Sequence, residues 1–167
     1  MNELLRDAFQ HNSWATKELL TTCRKLTPEQ LNTSTSGSYG TILETFNHML
    51  SSDARYQGHL SGNYPEWSTN RQIGADFDEL MAHAEENEQL WEELLSQPID
   101  AKRELILDNG TYRTSVGVVI AQALHHGTLH REQICAILTQ SGIEAPDLQA
   151  WSYADATGAS TFISNET

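Results

Sequence analysis

Residues Ser115–Ser141 read SVGVVIAQALHHGTLHREQICAILTQS, the longest and most apolar segment of the chain. Val119, Ala123, His126, His130, Ile134 and Ile137 recur at three or four residues, the spacing that lines one face of an α-helix. Gly142 follows at the position where a helix commonly stops. A helix this long and this apolar needs other helices to cover it, and the flanking sequence supplies three. The first runs from about Asn2 to Leu26, with Leu5, Ala8, Ala15, Leu19 and Cys23 on one side. The second covers Thr41 to about Leu60, with Ile42, Phe46, Met49, Leu50 and Asp53 in a stripe. The third runs from about Ala75 to Leu95, with Phe77, Leu80, Met81, Ala84, Trp91, Leu94 and Leu95 on one side. Four such helices around one core make an all-α four-helix bundle.

The connections carry their own signals. Thr27-Pro28-Glu29-Gln30 has a capping Thr and Pro at the first helical position, so a short helical turn is expected there. Thr33–Gly40 is polar and glycine-bearing and reads as a loop; Gly62-Asn63-Tyr64-Pro65 breaks the chain again. Arg103–Leu107 and Thr111–Thr114 flank Asp108-Asn109-Gly110, and Asn-Gly between two β-prone runs predicts a hairpin between helices three and four. The tail from Ala145 carries Trp151, Tyr153 and Phe162, of which part is expected to dock on the bundle. At 167 residues the chain is read as a single domain, 1–167.

Charge narrows the function. Ten Lys+Arg against 23 Asp+Glu leave a net −13, which repels phosphate backbones and argues against nucleic-acid binding. Eight acids fall between Asp76 and Glu93 with no Lys or Arg among them, and read as a solvated outer face. No apolar run approaches the ~20 residues that span a bilayer, and the N-terminus has no signal-peptide pattern. The two cysteines, Cys23 and Cys135, are isolated and read as reduced, structural thiols. A cytoplasmic protein acting on a small-molecule substrate is expected.

His126 and His130 stand one turn apart on the stripe that faces the core, close enough to share a metal ion, while adjacent His125 points about 100° away. The zinc-protease pattern HExxH is excluded because position 127 is Gly, so its general base is missing. His11, His48, His59, His83 and the carboxylates are all candidates for a third ligand, and periodicity does not choose among them. Gln133, one turn beyond His130, reads either as a group orienting a ligand or as a packing residue. Asp53, a lone acid on an apolar stripe, reads as an orienter of an imidazole, a cap, or a partner for an Arg.

Two motifs resemble the DinB/YfiT-like family of metal-dependent four-helix-bundle proteins. Ile42–Leu50 (ILETFNHML) is similar to the family's ligand-bearing helix, and His126–Gln133 (HGTLHREQ) is similar to its HxxxHRGQ signature. Glu132 departs from the usual Gly, and on the helical wheel it faces away from His130. The resemblance implies a divalent ion, zinc or nickel, held by His48, His126 and His130, and it implies a homodimer. Three neutral imidazoles add no negative charge, so such an ion stays electrophilic and can ionise a bound water or thiol. Family members with assigned activities are transferases and isomerases that use low-molecular-weight thiols. The expected function is accordingly that of a thiol-dependent transferase. The alternatives are a metal-dependent hydrolase and a non-catalytic metal- or small-ligand-binding stress protein. Binding is expected to weaken below about pH 6, as protons compete for imidazoles of ordinary pKa near 6.5.

Overall fold

Burial of four apolar helix faces organises the chain. The computed structural model describes residues 3–69, 76–161 and 163; the sequence expectations that touch Asn2, Ala75 and Phe162 lie outside them. In chain order the elements are α1 (Glu3–Cys23), α2 (Pro28–Leu31), α3 (Ile42–Ser61), α4 (Glu66–Thr69) and α5 (Phe77–Ser96). They continue with β1 (Glu104–Leu107), β2 (Tyr112–Ser115), α6 (Val116–Gln140) and α7 (Ala150–Thr157). The long helices α1, α3, α5 and α6 form the bundle, with α1 against α5 and α6, and α3 against α5 and α6.

Side-chain pairs fix the directions. Phe9 meets Trp91 and Lys17 pairs with Glu88, so α1 and α5 are antiparallel. Phe46 meets Phe77 and Trp91 bonds Asp53, so α3 and α5 run parallel, which requires the long connection that carries α4. His126 meets His48 and Gln122 bonds Tyr56, so α6 runs antiparallel to α3.

Local chemistry sets the helix ends. Thr27 and Thr41 each form a reciprocal capping box, with Gln30 and Glu44 respectively, and Asp76 caps α5. The first helix ends at Cys23 rather than Leu26, where the Leu26 N–H turns back to the Cys23 carbonyl. Gly142, at φ +72°, ends α6 in the left-handed region. The expected hairpin pairs Leu107 with Tyr112 in antiparallel register. Asp108, Asn109 and Gly110 all take positive φ in the turn, which is why Asn-Gly stands there. The N-cap residue of α6, Ser115, makes no side-chain cap; instead the Arg103 and Ala101 carbonyls accept from the Val116 and Gly117 N–H groups.

Two apolar clusters fill the interior. One contains Leu19, Phe46, Met49, Leu80, Ile134 and Ile137; the other contains Phe9, Trp91, Leu95, Leu105, Val119 and Ile120. Burying each large side chain contributes about 1.5–3 kcal/mol. A polar layer separates them: Asn12, Thr16, Asn87, His126 and Arg131 are all buried. Two outcomes differ from the sequence expectation. The acidic face of α5 is not purely solvated, because Lys17 and Arg24 of α1 pair with Glu88 and Asp78. The tail forms a helix, α7, not foreseen from its pattern. Part of the tail docks, as expected: Tyr153 packs against His11 and Trp14, whereas Trp151 stays 77% exposed.

Arg131 is only 4% exposed, yet its guanidinium is well served. Nη1 donates to Asn12 Oδ1 at 2.8 Å, to Thr16 Oγ1 at 3.1 Å and to the Asn12 carbonyl at 3.3 Å. Gly127 makes this approach possible: a Cβ there would lie 2.7 Å from Asn12 Oδ1 and 3.0 Å from Arg131 Nη1. Gly127→Ala gains up to about 1 kcal/mol in helix propensity but disturbs a buried charge-assisted bond worth about 1.5–3 kcal/mol. The expected net result is a Tm lower by about 2–6 °C in a thermal melt followed by circular dichroism.

Candidate metal centre

Antiparallel packing of α3 on α6 brings three histidines together from positions 78 residues apart. His48 Nε2 and His126 Nε2 lie 3.1 Å from each other. The ring of His130 is centred 4.3 Å from that of His126 and 4.8 Å from that of His48. One nitrogen of each ring falls within 4.8 Å of the others. His126 and His130 are buried and His48 is half-buried, at the edge of the α3 stripe, lining the seam between α3 and α6. No carboxylate belongs to this cluster among the described residues.

The other histidines are placed elsewhere. His11 bonds the Leu148 carbonyl, His59 bonds the Tyr64 hydroxyl, His83 stacks flat on Trp67, and His125 is exposed. Glu132 is exposed, as its wheel position implied. Glu44, one turn before His48, is engaged in the capping box of α3.

Gln133 fixes the orientation of His130. Its Oε1 accepts from the Tyr39 backbone N–H at 3.1 Å, and its Nε2 donates to the Gly37 carbonyl at 3.1 Å. A backbone N–H can only donate and a carbonyl only accept, so the amide has one possible orientation. The 2.9 Å contact between His130 Nδ1 and Gln133 Oε1 therefore requires a proton on Nδ1. The lone pair of His130 is left on Nε2. The same two backbone bonds anchor the loop before α3 so that Tyr39 stacks on His48, with ring centroids 3.9 Å apart and planes 16° apart. Tyr39 stood in a polar, glycine-bearing stretch with no periodicity, so sequence reasoning did not find it.

Burial and the neighbouring imidazoles of His130, His48 and His125 push His126 down to about 4. Burial also lowers His130, against an opposing pull from Gln133. The two thiols move the other way. Burial raises Cys23 to about 12 and Cys135 to about 11, so neither is a thiolate at neutral pH. Asp53 accepts from Trp91 Nε1 at 3.0 Å; burial lifts its carboxyl to about 7, against the pull of that bond and of Arg131.

A helical bundle with three convergent imidazoles on facing helices, and no carboxylate among them, defines a protein class with a nitrogen-only candidate metal centre. The sequence matches the model of the DinB family over residues 1–166, and the chain belongs to that family. A comparison with curated proteins returns no match. No helix among the described residues is long and apolar enough to cross a membrane.

Because the bond that His130 donates to Gln133 favours the protonated ring, removing it has a definite sign. In Gln133→Leu the pKa of His130 is expected to fall further below 6.5, read from an NMR titration of its ring protons in metal-free protein. An unchanged pKa would mean that Gln133 only packs.

Proposed function

We propose that this protein is a divalent-metal-dependent enzyme whose ion is held by His48, His126 and His130, and that it transfers a small-molecule thiol to an electrophilic substrate. The convergence of three neutral imidazoles carries the metal reading. Zn–N bonds of 2.0–2.1 Å place tetrahedral ligand nitrogens about 3.3 Å apart. The 3.1 Å between the His48 and His126 nitrogens fits that spacing. With three protein ligands and no carboxylate, a bound ion retains an open position and supplies Lewis acidity to whatever occupies it.

The surrounding residues favour thiol chemistry over hydrolysis. A hydrolase profits from a general base beside the attacking water, and among the described residues no carboxylate joins the three-nitrogen cluster. A thiol ionised by a metal needs no such base. Cys23 and Cys135 are held protonated by burial, so the nucleophilic sulfur comes from a separate low-molecular-weight thiol. Tyr39 is 55% exposed while its ring covers His48, which makes it the wall against which a substrate would rest. Addition of a small thiol to the Co2+-loaded protein should produce a sulfur-to-cobalt charge-transfer band. Cobalt binding without that band would favour the hydrolase reading.

Each ligand histidine is expected to be indispensable. His48→Ala, His126→Ala and His130→Ala should each lose most of the zinc or nickel retained after equal loading and dialysis. His125→Ala, His59→Ala and His83→Ala should retain it. The depressed pKa values also move the pH threshold. A lowered pKa delays protonation as pH falls, so His126, held down to about 4, stays neutral at pH 6, where an ordinary imidazole is mostly charged, and burial shifts His130 in the same direction. Metal content should persist at pH 6 and fall towards pH 4, below the threshold of about 6 expected from unperturbed imidazoles. Equal metal content in wild type and His126→Ala would overturn the site.

A further inference from the structure

Behind the histidine cluster, between the two apolar clusters of the core, lies a cavity of about 20 Å3. Its lining includes Asn12, Asp53, Asn87, His126 and Arg131. That volume is enough for one water, and a cavity with polar walls holds water where an apolar one stays dry.

Three of the residues that line it each carry a polar atom without a hydrogen-bond partner among the described residues. Asp53 uses Oδ1 to accept from Trp91, and its Oδ2 has no donor. Asn87 is 3% exposed and donates through Nδ2 to the Leu50 carbonyl at 3.1 Å, but its Oδ1 is unpartnered. His126 directs Nε2 towards His48, and its Nδ1 has no partner. These three groups are complementary. Two are acceptors and the third, as Nδ1–H, is a donor, while a water offers two donors and an acceptor. Buried waters typically make about three hydrogen bonds, the number available here.

We propose that an ordered water in this cavity joins Asp53, Asn87 and His126, and that Asp53 acts through it as a positioning residue holding His126 as the Nδ1–H tautomer. The arrangement is the counterpart, on His126, of what Gln133 does directly for His130. Both rings then turn an Nε2 lone pair towards the cluster. Carboxylates that orient metal-bound imidazoles typically account for 10–100-fold in metal affinity. The value of the arrangement for metal binding rests on the function proposed above; the tautomer itself is a property of the chain alone.

Tautomers are read directly from long-range 1H–15N spectra of the metal-free protein at pH 8, with the His126 signals assigned by their loss in His126→Ala. Wild type should show His126 protonated at Nδ1. Asp53→Asn keeps the size of the side chain and an acceptor for Trp91, but turns a donor amide towards the water. In that variant His126 should shift to the Nε2–H form or a mixture, and zinc affinity, measured by chelator competition, should fall 10–100-fold. Asp53→Glu, whose carboxylate reaches across the cavity, should keep both the tautomer and the affinity. A wild-type His126 protonated at Nε2 would overturn the proposal even if the variants fail to fold. A fully Nδ1–H His126 in folded Asp53→Asn would overturn it as well. A wild type with the Nδ1–H tautomer that binds no zinc would sink the metal reading and leave this proposal standing.

Discussion

A charged guanidinium lies near the middle of the core, and it governs how α6 sits. Burying a cation is costly unless it is fully bonded. Arg131 offsets much of that cost by gripping Asn12 and Thr16 of α1, and it does so through a gap that only Gly127 leaves open. The grip fixes the rotation of α6 about its own axis. Since His126 and His130 are on the same helix, a rotation set on the α1 side decides where both imidazoles point on the α3 side. Burial draws Arg131 down to about 10, still well above neutral pH, so the charge that anchors the helix persists.

Much of this was legible in the sequence, because the controlling signals are local. The four long helices follow from apolar spacing, α2 from a Thr-Pro pair, and the hairpin from an Asn-Gly step that tolerates positive φ. The pairing of His126 with His130 was visible for the same reason, since four residues make one turn. Periodicity did not select His48, which sits at the edge of its stripe; family resemblance did, and the structure places that ring against the other two.

What stayed hidden depends on contacts between residues far apart in the chain. Asn12, Thr16, Gln57 and Asn87 are polar residues inside the core, and their positions make sense only beside partners on other helices. Nothing in Thr33–Gly40 announces that Tyr39 will lie flat on an imidazole; that depends on Gln133, 94 residues away. From sequence alone Gln133 admits two readings. The structure gives it a task at each end of its amide, tethering the loop and orienting His130. The acidic run on α5 likewise lost part of its solvated character once α1 brought Lys17 and Arg24 alongside.

The distance along the chain between His48 and His126 has a thermodynamic corollary. In chain-statistical terms, an ion shared by these two residues is a cross-link closing a loop of 78 positions. By the relation used for disulfides, closing a loop of that length removes unfolded-state entropy worth about 4.5 kcal/mol at 25 °C. Unlike a disulfide, the link is reversible and answers to mass action, so its contribution rises and falls with free metal concentration. His126 and His130 are brought together by one helical turn, whereas the three-nitrogen set exists only when α3 and α6 have packed. Occupancy of the centre by an ion would therefore report the assembly of α3 on α6, and metal supply would then act as a rheostat on the stability of the fold.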